Sequence, residues 1–138
     1  MKNSKRIIDY IPQREPMVMV SELISVSDQK AISQFSFTNN NIFCDEGYLQ
    51  EPGIIENIAQ TAAAMTGYNA KKNNEEVKRG FIGSVNKLQI FNLPKSGIVL
   101  ETEVSIVNQV MNVHIIKGVV RQNKVVMAEC EMKIFLEE

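Results

Sequence analysis

From Pro52 to about Lys71 the chain reads as one helix with almost no polar face, and that segment constrains the fold most. Ile55, Ile58, Ala59, Ala62 and Met65 recur at spacings of three and four, and the apolar surface continues nearly all the way round. A helix of this kind has to be enclosed. Pro52 suits its first turn, where a missing N–H costs nothing. Lys71 and Lys72 place positive charge at its end, where the helix dipole favours it. The small residues Ala59, Ala62, Ala63, Ala64 and Gly67 allow a sheet or a partner chain to come close.

The remaining segments supply the enclosure. Arg6 to Ile11 reads as a turn or two of helix, stopped by Pro12 and Pro16. Val18 to Val26 and Ala31 to Phe37 read as strands; in the second, Ala31, Phe35 and Phe37 alternate with Gln34 and Ser36. After the helix come four Val- and Ile-rich runs: Phe81 to Phe91, Val99 to Asn108, Asn112 to Arg121 and Val125 to Leu136. Gln122-Asn123 marks a tight hairpin between the last two. In the final run Val126, Ala128, Cys130, Met132, Ile134 and Leu136 alternate with polar residues, the signature of a sheet with one buried and one wet face. The expectation is a single α+β domain over residues 1–138, an antiparallel sheet curled around one hydrophobic helix.

Charge and residue usage exclude much chemistry. Fifteen Lys and Arg against sixteen Asp and Glu give a net charge of −1, too little cation for a nucleic-acid partner. No apolar run approaches the roughly 20 residues that span a bilayer. Asp9 and Pro12 interrupt the basic start of the chain (Lys2, Lys5, Arg6) before a signal peptide's apolar region develops, so the expected location is cytoplasmic. His114 is the only histidine, and Cys44 and Cys130 are far apart, so we expect no metal, no other cofactor and two free thiols. Neither is there a Gly-rich phosphate loop.

The polar residue inside the buried helix is the informative one. Glu56 stands in its first turns and Gln60 four residues on, so the two stack on one face. Desolvation disfavours a carboxylate there while the helix N-terminus favours it, a balance that can tune a catalytic acid. The plainer alternative is a first-turn acid that faces water. Gly53 and the free N–H groups of this helix start could hold a carbonyl oxygen.

Several segments resemble one family. Ile11-Pro12-Gln13-Arg14-Glu15-Pro16 is similar to the Pro-His-Arg-x-Pro signature of the β-hydroxyacyl-acyl-carrier-protein dehydratases, and Glu56-Asn57-Ile58-Ala59-Gln60 to their Glu-x-Met-Ala-Gln helix. Ile82 to Lys87, Pro94 to Gly97 and the strands ending at Ala128-Glu129 follow the same order over nearly the whole chain. The resemblance implies the hotdog fold, a long helix wrapped by an antiparallel sheet. It also implies a dimer with the acyl chain in a tunnel at the subunit interface. In the family a histidine removes the α-proton of a 3-hydroxyacyl thioester and a helix carboxylate, here Glu56, protonates the departing hydroxyl; Gln60 is its helix neighbour.

The family's Gly-His-Phe-Pro segment falls near Phe43 to Tyr48, which reads Phe-Cys-Asp-Glu-Gly-Tyr, without histidine. Asp45 or Glu46 is then the candidate base, with Cys44 and Tyr48 as substrate contacts beside Gly53 and Gln60; Asp45 and Glu46 otherwise read as solvated loop acids. His114, in a strand far from that loop, reads as a packing or surface residue. Lys71, Lys72, Lys78 and Arg79 could meet an acidic carrier protein or a coenzyme A phosphate, or simply form a solvated helix end.

Three functions follow. The first is a dehydratase-like enzyme acting on 3-hydroxyacyl thioesters carried by acyl carrier protein or coenzyme A, in fatty-acid or polyene-type biosynthesis. The second is a thioesterase on the same fold, using one carboxylate to activate water. The third is a non-catalytic acyl-binding or partner subunit. A homodimer is expected, with a higher oligomer or heteromer as the alternatives.

Overall fold

The computed structural model of the chain describes residues 6–137; Lys2 and Lys5 of the basic start lie outside them. A short 3-10 turn, Ile7–Asp9, precedes the strands β1 (Glu22–Val26) and β2 (Lys30–Phe35). A small hairpin, β3 (Cys44–Asp45) and β4 (Tyr48–Leu49), leads into the helix α1 (Glu51–Lys72). Four long strands follow: β5 (Gly80–Ile90), β6 (Leu100–Val110), β7 (Val113–Gln122) and β8 (Val125–Leu136). Six strands form one antiparallel sheet in the order β1-β2-β6-β7-β8-β5, and α1 touches all six. This is the hotdog architecture. No helix among the described residues is long and apolar enough to cross a membrane.

The enclosure of α1 follows from its sequence. Ile54, Ile58, Ala62, Ala64 and Met65 are buried against Leu100, Val104, Ile116, Val120, Ala128 and Met132 of the sheet. Two glycines permit the closest approaches. A Cβ on Gly67 would collide with the carbonyl oxygen of Tyr10, and one on Gly118 with Ile58. The first seats the N-terminal segment on α1, and the second brings β7 down onto the helix.

Two local expectations are corrected. The run Val18 to Val20 is buried but is not a strand, since β1 begins at Glu22. The backbone of Met19 instead binds side chains of α1: Gln60 Oε1 accepts from its N–H at 2.7 Å, and Asn57 Nδ2 donates to its carbonyl at 2.7 Å. The second correction concerns the β7–β8 hairpin, whose turn is Asn123-Lys124, with φ of 51° and 68°. Gln122 ends β7, and its buried amide bonds the backbone of Lys95 and Ile98.

Candidate functional site

Glu56 is half-buried on α1, and its position is set by Gln60 one turn later. Gln60 is fully buried, and its amide is committed three ways: Oε1 accepts from Met19 N–H, and Nε2 donates to Met17 O at 2.8 Å and to Glu56 Oε1 at 2.9 Å. Asn57 pins the neighbouring face. Besides donating to Met19 O, it accepts at Oδ1 from Thr102 Oγ1 at 2.5 Å. Thr61 Oγ1 donates to Asn57 O and lies 2.7 Å from Ser33 Oγ. Asn57, Gln60, Thr61, Ser33 and Thr102 are all fully buried, so the helix turn that carries Glu56 is locked to β2, β6 and the Met17–Met19 segment. Every donor and acceptor in this network is paired, which is the condition for a buried polar cluster to add rigidity.

One oxygen of the Glu56 carboxylate is thus anchored. The other has no protein partner among the described residues. The carboxylate stands at the wall of a cavity of about 210 Å³. Ala59, Ala62, Ala63, Ile116 and Ile134 supply the apolar part of its lining, and Glu56, Thr66, Lys78 and His114 a polar part. Gln13 also borders it, and Gln13 Oε1 is buried without a hydrogen-bond partner among the described residues. A carboxylate held by one oxygen and free at the other, at the wall of a cavity, can give or take a proton from a bound molecule.

His114 lines the same cavity. It is 9% exposed, and its ring has no hydrogen-bond partner among the described residues. Burial holds its pKa below the ordinary imidazole value. The packing reading drawn from the strand pattern agrees with its burial, and the structure adds that the ring faces the hollow that Glu56 faces.

The loop residues lie elsewhere. Asp45 and Glu46 are exposed at the β3–β4 turn, where Glu46 and Gly47 have φ of 52° and 88°, and neither borders the Glu56 cavity. Tyr48, 43% exposed, borders a separate groove with Leu93, Ile98 and Met127. Cys44 is half-buried against the core, and both cysteines are free thiols. The N–H of Gly53 donates to Gln50 O at 2.9 Å, and a Cβ there would come within 2.6 Å of Leu49 Cδ1 and 2.8 Å of Phe43 Cβ. In this chain that glycine is a packing residue, its N–H engaged within the first turn of α1. Of the basic cluster only Lys78 borders the cavity.

Sequence reasoning missed Asn57, Gln13 and Thr102. For Asn57 a signal existed, since an amide in a helix apolar on nearly all sides needs buried partners.

The family described as ApeP-like, ApeP dehydratase, matches residues 5–138. No curated protein sequence matches the chain. Among solved structures, the dehydratase heterocomplex ApeI:P from Xenorhabdus doucetiae superimposes with a TM-score of 0.85 at 18% identity, covering 99% of this chain and 93% of that one. A sigma28-regulated virulence protein from Campylobacter jejuni gives 0.72 at 17% identity, covering 96% and 97%. A hypothetical thioesterase with coenzyme A from Streptococcus pneumoniae gives 0.67 at 10% identity, covering 84% of each chain. Similarities at these identities establish the fold.

Proposed function

The chain belongs to the ApeP-like dehydratase family, and from that premise we propose that it dehydrates 3-hydroxyacyl thioesters, with Glu56 as the proton donor to the leaving hydroxyl. One observation carries this reading: Gln60 anchors the Glu56 carboxylate by one oxygen at the wall of a cavity that the alanines of α1 line on one side. In the reaction a base takes the proton from the carbon next to the thioester carbonyl and a carbon–carbon double bond forms. The carbon–oxygen bond at the 3-position breaks, and Glu56 gives its proton to the departing hydroxyl, which leaves as water.

The base is proposed to come from a second subunit. The Asp45–Glu46 turn is exposed and apart from its own chain's cavity, so it is free to reach a neighbour's. The outer edge of β5 is unpaired, and Phe81 and Ile82 on it are 51% and 39% exposed. An unpaired strand edge presents N–H and C=O groups on which another chain can pair, and the exposed Phe81 and Ile82 add apolar surface at its start. A second copy, or a homologue as in the heterocomplex dehydratase of similar fold, is the proposed neighbour. The carrier is proposed to be acyl carrier protein or coenzyme A.

The test is conversion of a 3-hydroxyacyl thioester to its trans-2-enoyl product, followed by enoyl-thioester absorbance. Glu56→Gln is expected to lower the rate roughly a hundredfold or more, the usual worth of a general acid. Equal rates in the folded variant would reject the assignment. Release of free thiol in place of the enoyl product would assign the thioesterase reading, which the single anchored carboxylate also suits.

A further inference from the structure

Two hollows meet at His114. The cavity beside Glu56 and a second hollow of about 470 Å³ share five lining residues: Met65, Thr66, Lys78, His114 and Leu136. Those side chains are the partition between them. Beyond the partition the second hollow continues past Ala70 and Ile106 toward a polar rim of Asp28, Asn73, Glu75 and Glu76.

Register places His114 at the end of the first cavity remote from Glu56. Gly118 of β7 packs on Ile58, just past Glu56. Four residues separate Gly118 from His114, a strand length of about 13 Å. At 1.5 Å per residue, α1 covers that length in roughly nine residues beyond Ile58. Met65 and Thr66, which share the partition with His114, stand at about that level. Between the two ends, α1 contributes Ala59, Ala62 and Ala63. The hollow therefore has the form of a channel, with a carboxylate at one end, the alanines of α1 along it, and at the other an imidazole with no hydrogen-bond partner among the described residues.

Resting on the reading of Glu56 as the group that meets a thioester's reacting carbons, we propose that His114 is the end wall of the acyl channel and sets the longest chain the site accepts. An alkyl tail laid from Glu56 along the alanines of α1 stops against the ring. Burial lowers the pKa of that imidazole, so at neutral pH the ring itself meets the tail uncharged. Removing the ring joins the two hollows, while a larger ring at the same position shortens the first.

Calorimetric titration with a ladder of saturated acyl-coenzyme A thioesters, from butanoyl to tetradecanoyl, tests this on the purified chain. For the unaltered protein, affinity should rise with each added pair of carbons and then break off. In His114→Ala the break should move at least one pair of carbons longer, with about a tenfold or greater gain for the first chain beyond the original limit, the scale on which a pocket distinguishes small differences in apolar fit. In His114→Phe the break should move shorter. An unchanged break in both variants, each shown to be folded by circular dichroism, would overturn the proposal. The readout is binding, so a Glu56→Gln result that rejects dehydration leaves this test intact. If the unaltered protein bound no thioester of any length, the channel reading and the dehydratase reading would fall together.

Discussion

Gln60 holds Glu56 at 2.9 Å through the same amide nitrogen that bonds the carbonyl of Met17, so one buried side chain ties the candidate acid to the N-terminal segment. Chemistry and architecture are therefore coupled at this residue. Loss of the Gln60 amide would release the carboxylate together with the Met17 carbonyl and the Met19 N–H, leaving Asn57 to hold the Met19 carbonyl.

Gln60→Ala should show both effects. It strands the buried Met19 N–H and frees the part-buried Met17 carbonyl, and an unpaired buried group costs about 1–3 kcal/mol. A stability loss of about 2–4 kcal/mol is expected in urea unfolding. Turnover of the 3-hydroxyacyl thioester should fall with little change in KM, because Gln60 orients the acid and its own donors and acceptors are spent on protein groups. A variant of unchanged stability would contradict the hydrogen-bond assignment.

Gly67→Ala tests the seat of the N-terminal segment. Alanine is the better helix former, by about 1 kcal/mol over glycine. Here, however, its Cβ meets the carbonyl oxygen of Tyr10, a backbone atom that cannot swing aside. Overpacking of this kind costs about 1–3 kcal/mol. The substitution should therefore lower Tm despite its favourable propensity; a raised Tm would show that the Tyr10 segment gives way easily.

Acid should weaken the fold through His114. Its folded-state pKa is depressed below the usual 6.5 by burial, so the unfolded chain takes up the proton first as pH falls. That contribution to stability is complete above about pH 6.5 and is lost as pH drops from there toward the folded-state value. Glu56 and Lys78 border one side of the ring's surroundings, and Asp28, Glu75 and Glu76 the other. A separate loss sets in below the usual carboxylate value of 4.5. Glu103 is held under that value first by its hydrogen bond from Lys30, with Arg121 adding to the effect against the opposing desolvation. Thermal unfolding of His114→Gln should be flatter than that of the parent as pH falls from about 6.5 toward the folded-state value of the imidazole.

Much of the architecture was legible because burial imposes a period on the chain. The nearly all-round apolar run from Pro52 marked α1, observed over Glu51–Lys72. The alternation from Val126 to Leu136 marked the inner face of β8, where Ala128, Cys130, Met132 and Ile134 are buried. The same logic misread Val18 to Val20. Those residues are apolar enough for a strand, but their backbone partner is the side-chain chemistry of α1, 38 and 41 residues away in sequence. No local pattern carries that pairing.

The candidate site divides along the same line. Residue type and i, i+4 spacing determined that Glu56 and Gln60 share a helix face, because helical geometry is local. The same kind of local evidence determined that a buried helix lies against an antiparallel sheet. Only the tertiary structure decided that Gln60 faces the Met17–Met19 backbone, that the Asp45–Glu46 turn stands apart from its own chain's cavity, and that His114 shares a hollow with Glu56. Those outcomes depend on strand register and on helix-to-sheet approach, such as Gly118 against Ile58. Packing of distant segments sets both, and the spacing of neighbours along the chain sets neither.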